Sequence, residues 1–442
     1  MTLPVDFLGR DRVRVLEQRG HGSTVLVGRS AVVWRLADAD RHDRLPAVSR
    51  QSTMWPVDHE KKGVAMTVCD FSSGRPDPAT FPVGDLVAAA SRRLTAEGPD
   101  LVLYPDPQGY PALRRLAVER FRQREGVDLD PDSFLLGTGS TQPLALLAEA
   151  LTEPGDVVIT EEFSYTGTLG ILRRFGLTIE GVKIDEEGLC PEALDRALET
   201  LAMAGTPARF IYAIPTYQNP TGAILSLERR RAILELSRRH DVPLIEDNCY
   251  ADLHFESEKP PASIRALPGA DEVIYVASWS KILGPGARLG YVSAGPELLE
   301  RLLDLKRDAG TSNLAAMIVA EYMEHHRESH TAVLCDVLRR KRDVLVAALG
   351  EELGDLCGWT VPLGGMFLWV RLPDEIDNAV LAKSAEQEGV LYHPGRNFHS
   401  GDRDIPYLRL AFGYPSDEEI VTGVRHLARA IRTAVPTVAG NA

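Results

Sequence analysis

The chain has 442 residues, 44% hydrophobic and 25% charged, which is enough apolar material for a packed core and excludes disorder as its main state. Its net charge of −14 makes a nucleic-acid backbone a poor partner, while leaving room for a small anion in a local pocket. At roughly 150 residues per domain the length predicts two large units or three smaller ones.

No apolar run approaches the ~18 residues of a membrane span. The start, Met1-Thr2-Leu3-Pro4-Val5-Asp6, lacks the basic and apolar pattern of a secretory signal. The five cysteines, at 69, 190, 249, 335 and 357, are scattered and odd in number, which predicts reduced thiols and a cytoplasmic protein.

Residues 1–66 are rich in Arg, Asp and His and carry two short apolar runs, Thr24–Val27 and Ala31–Leu36. From residue 67 onward short apolar strands alternate with helical patterns. Strands are expected at Asp156–Thr160, Phe210–Ile214, Val242–Glu246, Val273–Ser278 and Leu289–Ala294. Leu144, Leu147, Ala148 and Leu151 fall at helical spacing after Gly139-Ser140-Thr141, and Ser226 is a fitting N-cap for Leu227–Arg239. This alternation predicts an α/β fold, a mostly parallel sheet with helices on both faces, plus a smaller α+β C-terminal domain. Ligands of such sheets sit beyond the carboxyl ends of the strands.

The polar residues after the strands therefore carry the reading. Lys281 follows Ser278 and Ser280 and precedes a Gly-Pro-Gly turn and Arg288. A lysine amine held neutral attacks a carbonyl, and two hydroxyls with a guanidinium suit a phosphate. Asp247 ends another strand, where a buried carboxylate would keep a ring nitrogen protonated, and Tyr250 follows it. Asn219, in Asn219-Pro220-Thr221-Gly222, offers an amide to a phenolic oxygen. Arg409 stands inside the apolar run Leu408–Phe412 and needs an anionic partner.

Together these pieces resemble the fold-type I enzymes dependent on pyridoxal phosphate (PLP), the aspartate-aminotransferase superfamily. Further matching motifs are Tyr104–Gly109, Gly137–Gln142, Pro154–Asp156, Gly364–Phe367 and Pro394-Gly395. The resemblance runs from about Cys69 to Arg432. It implies that Lys281 holds the cofactor as a Schiff base and moves the substrate proton. Asp247 would pair with the ring nitrogen, Tyr250 and Asn219 with the ring oxygen, and Tyr165 would stack on the ring. Ser140, Thr141, Ser278, Ser280 and Arg288 would bind the phosphate, joined by Tyr104 from a second subunit, which implies a homodimer. Arg409 would take the substrate carboxylate, with Gly74 close by. The implied reaction is transamination between an amino acid and a keto acid, with no metal, nucleic acid or membrane involved.

The implied domains are an extension at 1–66, an arm at 67–95 that joins the small domain, a large PLP domain at 96–310 and a small domain at 311–442. Two departures stand out. The related branch has a second carboxylate and a proline where this chain has Asn248-Cys249, and His393 and His399 flank Pro394–Phe398, a segment near the substrate in that family. Residues 16–27 resemble the closing wing of a GntR-type winged helix, as in MocR-type regulators, but residues 1–66 offer no DNA-reading helix. Three readings follow: transamination; elimination, replacement or carbon–carbon bond formation on an amino acid such as S-adenosylmethionine; or a PLP-sensing regulator. The histidines of His325–His330 lack the His-Glu-x-x-His order of a zinc site and are expected on a solvated helix face.

Overall fold

In this computed structural model the described residues are 69–436, with the backbone of the antiparallel strands Val5–Phe7 and Asp11–Val13. The chain divides into two units, residues 1–64 and 65–442. The wing-like segment 16–27 lies outside the described residues.

Seven strands pair into one sheet. Their spatial order is Phe134–Thr138, Leu289–Ser293, Ile274–Ser278, Leu244–Asp247, Ile211–Ala213, Val157–Glu161 and Thr178–Val182. Five expected strands are present within a residue or two of the expected ends. Two more, Phe134–Thr138 and Thr178–Val182, join them. All neighbours are parallel except around Leu289–Ser293, which runs antiparallel to both of its partners. The cause is the short link Trp279–Arg288: a parallel return needs a crossover of a dozen or more residues.

Both faces of the sheet are buried, as its near-continuous apolar strands require. Along the strands Val157–Glu161, Ile211–Ala213 and Leu244–Asp247 side chains alternate between two clusters. Val158, Tyr212 and Ile245 join the larger one, whereas Ile159, Ile211 and Leu244 pack with Leu194, Leu198 and Ile233 of the helices Pro191–Met203 and Leu227–Arg239. Ser226 caps the second of these helices by accepting from Arg229 N.

The C-terminal part carries a four-stranded antiparallel sheet in which Phe367–Arg371 and Tyr407–Ala411 are central. A helix of 41 residues, Asn313–Leu353, and the helix Asp417–Ala434 pack against each other and share the sheet's core cluster. The second helix opens with a full capping box between Ser416 and Glu419. Cys69–Asp70 pairs with Val390–Leu391, so the first described residues of the second unit join this C-terminal part. Among the described residues no helix is long and apolar enough to cross a membrane.

Candidate active site

Thr138, Glu161, Asp247 and Ser278 end their strands at one edge of the seven-stranded sheet. Lys281 follows in the turn after Ser278, and its Nζ donates to the Gly74 carbonyl at 2.8 Å. Burial lowers its pKa from the ordinary 10.5 to about 8, and the charges of Arg409 and Arg288 push the same way while Asp247 opposes them. The amine stands 5.8 Å from the centre of the Tyr250 ring.

Asp247 is buried, which raises its pKa. The Tyr212 hydroxyl donates to its Oδ2 at 2.7 Å, and Cys249 N donates to its Oδ1 at 3.3 Å. Cys249 is itself buried, and burial pushes its thiol far above the ordinary range, so it acts as a small apolar residue. Asn219 is fully buried. Its Nδ2 donates to the Tyr250 hydroxyl at 3.2 Å, and its Oδ1 accepts from Arg409 Nη1 at 3.0 Å. The remaining bonded arm of Arg409 donates to Ser72 O at 2.7 Å.

Arg409 is the most informative member. It is 4% exposed and lies between the Phe367 and Phe398 rings, at 4.1 and 4.8 Å. Its partners are neutral oxygens, its Nε has none, and no carboxylate meets it among the described residues. Burial accordingly lowers its pKa to about 10. A buried guanidinium without an anion is a ready site for an external carboxylate.

A second anion cradle lies at the start of the helix Thr141–Leu151, whose N-cap is Ser140. Gly139 precedes it with φ +68°, and a Cβ there would lie 2.9 Å from Arg288 Nη2. The guanidinium of Arg288 thus stands against this helix N-terminus, donating to Thr138 O at 3.0 Å. Ser278 and Ser280 lie together nearby in the chain, their hydroxyl oxygens 2.8 Å apart. Free amide groups, a guanidinium and hydroxyls form a donor set suited to a phosphate. Gly74 is also crowded: a Cβ would lie 2.7 Å from the Phe367 ring and 3.6 Å from Lys281 Nζ. Tyr165 precedes the helix Thr166–Arg174, with its ring over Gly167.

Lys281, Asp247, Tyr250, Asn219 and Arg409 therefore come together, and the phosphate-type residues cluster at one helix start. Tyr104 does not join them; it is 89% exposed. His393 pairs in register with Arg409, and burial followed by the Arg409 charge lowers its pKa to about 3. Burial also lowers that of His399. Both shifts disfavour the charged ring, which argues against an anion site at either histidine. His330 departs from the expectation of a solvated face: it is buried, 2.7 Å from the carbonyl of Ile282, beside Lys281.

Tyr212, Phe367, Phe398 and Glu161 complete the site beyond the residues expected from the sequence. Tyr212 sits at the centre of a buried strand, and only strand pairing shows that it faces Asp247. Phe367 closes the Gly364–Phe367 motif, which was the available signal. Glu161 accepts from Ile214 N, the Ser164 hydroxyl and Gln218 Nε2, and so ties the segments carrying Tyr165 and Asn219 together.

Comparison with known proteins agrees with this geometry. Residues 67–427 match the family "Aminotransferase class I and II". Aromatic-amino-acid aminotransferase 1 of Thermococcus litoralis is 31% identical over 83% of this chain and 88% of its own. The α-aminoadipate aminotransferase LysN of Thermus thermophilus, solved with N-(5′-phosphopyridoxyl)-L-leucine, superposes with a TM-score of 0.77 at 32% identity, covering 82% of this chain and 92% of its own. An uncharacterised HTH-type transcriptional regulator of Bacillus subtilis, YisV, is 31% identical over 74% of this chain and 67% of its own. The chain belongs to the class I and II aminotransferase family, enzymes that work with pyridoxal phosphate.

Proposed function

We propose that this protein transfers an amino group between an amino acid and a keto acid, with PLP held at the carboxyl edge of the large sheet. The observation that carries the reading is Arg409, a buried guanidinium that meets no carboxylate among the described residues, in one cluster with the depressed amine of Lys281. The residues fit the cofactor. The Gly139 cradle, the helix start at Ser140 and Thr141, Ser278, Ser280 and Arg288 suit its phosphate. Buried Asp247 suits a protonated ring nitrogen, and Asn219 with Tyr250 suits the ring oxygen.

When bound, PLP supplies an electron-withdrawing ring that stabilises the electron pair left on the amino acid's α-carbon. The chain supplies the rest. Arg409 binds the substrate carboxylate and so orients the α-carbon. Lys281, with its amine neutral, takes the α-proton and later returns one. Asp247, held by Tyr212, keeps a proton on the ring nitrogen. Tyr165 would stack against the ring. Gly74 leaves room for the substrate beside Lys281 and Phe367.

Within the same reading the protein is a homodimer. Tyr104 lies in an exposed run with Val102 and Leu103, 87% and 66% exposed, from which it would reach the phosphate of the partner's site. The domain limits are those drawn from the sequence, and the pairing of Cys69–Asp70 with Val390–Leu391 supports an arm at 67–95 that joins the small domain. The five cysteines form no pair with one another, which supports a reducing, cytoplasmic setting.

The test is a half-reaction. The PLP-loaded protein is mixed with single amino acids, led by aromatic ones and 2-aminoadipate and including S-adenosylmethionine. We expect one keto acid and one pyridoxamine phosphate per site, read by absorbance and mass spectrometry. Release of a side-chain fragment with PLP regenerated would overturn transamination in favour of elimination or replacement.

A further inference from the structure

The strand Ile211–Ala213 runs parallel to Leu244–Asp247, with Tyr212 opposite Ile245. Side chains alternate along extended backbone, so Tyr212, Ile245 and Asp247 share one face of the sheet. There the Tyr212 hydroxyl donates to Asp247 Oδ2 at 2.7 Å. The same hydroxyl oxygen accepts from Thr168 Oγ1 at 3.0 Å. Tyr212 is fully buried, and Thr168 and Asp247 nearly so. Three buried polar side chains thus form one run of hydrogen bonds that ends on the Asp247 carboxylate.

The place of Thr168 explains the direction of this run. A threonine inside a helix can return its proton to the carbonyl four residues back, as Thr95, Thr200 and Thr433 do. Thr168 stands in the first turn of the helix Thr166–Arg174, so the residue four back, Ser164, lies outside the helix. Its hydroxyl donates to Tyr212 instead. A phenol has one proton to give. With Thr168 donating to the Tyr212 oxygen, that proton goes to Asp247. Cys249 N donates to the other carboxylate oxygen at 3.3 Å. Both oxygens of Asp247 are therefore acceptors. Burial alone pushes Asp247 toward the neutral carboxyl, and the Tyr212 donor opposes it by stabilising the ionised form. A carboxylate stabilised in this way is a weaker base.

We propose that Thr168 and Tyr212 are positioning residues that decide where a shared proton rests, on the ring nitrogen of PLP rather than on Asp247. A proton between a ring nitrogen and a carboxylate has two places, and a donor that stabilises the carboxylate favours the nitrogen. Both residues act through Asp247. The inference rests on the proposed pairing of Asp247 with the ring nitrogen.

The probe is PLP labelled with nitrogen-15 in its ring, bound to the full chain and observed by nitrogen NMR at one fixed, neutral pH. The chemical shift of that nitrogen reports whether it bears the proton. We expect the protonated position in the unaltered chain. Tyr212→Phe moves the resonance toward the neutral position, because loss of one hydrogen bond to a charged group changes the ratio of the two proton places about tenfold or more. Thr168→Val moves it the same way by less, and Thr168→Ser, which keeps the hydroxyl, leaves it in place. Bound PLP content and near-UV circular dichroism confirm that each variant is folded. A resonance unmoved by Tyr212→Phe overturns the proposal. One unmoved by Thr168→Val, or moved equally by Thr168→Ser, overturns the part assigned to Thr168. An unprotonated nitrogen in the unaltered chain overturns the pairing with Asp247 beneath it. Failure of transamination appears separately, as absence of keto acid while the resonance still responds to Tyr212→Phe.

Discussion

At the scale of single residues, burial decides the chemistry. Lys281 is an ordinary lysine whose amine is brought to about 8 because the folded chain removes it from water. The sign of the pH effect follows. Between about 8 and the ordinary 10.5, the unfolded chain binds more protons at this residue than the folded one, so the cofactor-free protein gains stability from it as pH rises through that window. Urea unfolding of the cofactor-free protein and of Lys281→Met should therefore show the variant ahead at pH 7, with the gap narrowing by pH 10. A constant gap would place the amine in water. Amine-directed labelling of Lys281 should show its midpoint near 8. The roles of Lys281, Asp247, Asn219 and Arg409 were legible in the sequence because each follows or interrupts a strand beside turn residues. Tyr212 was not, because nothing near it in sequence marks which face of its strand meets Asp247.

At the scale of elements, the helix Thr141–Leu151 and the link Trp279–Arg288 assemble the phosphate cradle. Gly139 is required there twice over: its φ of +68° favours glycine, and a Cβ would press on Arg288. Gly139→Ala should displace the Arg288 guanidinium and weaken PLP binding about tenfold, the loss of one charge-assisted contact. Titration of the cofactor-free variant with PLP, followed by absorbance, measures this. Unchanged affinity would show that Arg288 does not hold the phosphate. The strand Leu289–Ser293 teaches a related lesson. Its composition announced a strand, but its antiparallel direction depended on the length of the link before it. The strand Thr178–Val182 escaped notice because it lies at the sheet edge, where only alternate residues need be apolar.

At the scale of the whole molecule, the proposed homodimer makes a sharp prediction. If Tyr104 serves the partner's site, Tyr104→Ala and Lys281→Ala lie in different chains of each site. Mixing two inactive variants under conditions that exchange subunits should restore about a quarter of the native rate, because half the dimers are mixed and each has one intact site. No recovery, with exchange verified by mass, would keep Tyr104 out of the neighbouring site.

The sequence by itself determined the fold class, the family and five residues that meet in the candidate site, Lys281, Asp247, Tyr250, Asn219 and Arg409. These are encoded locally, in strand composition, turn residues and the polar positions beyond strand ends. Only the tertiary structure decided how those residues are charged and partnered. Arg409 lies between two aromatic rings without an anion among the described residues, burial disfavours the charged forms of His393 and His399, and Asn248 faces a cavity while Asp247 faces Tyr212. Burial and contact across distant segments are properties of the packed chain, and no stretch of sequence carries them alone.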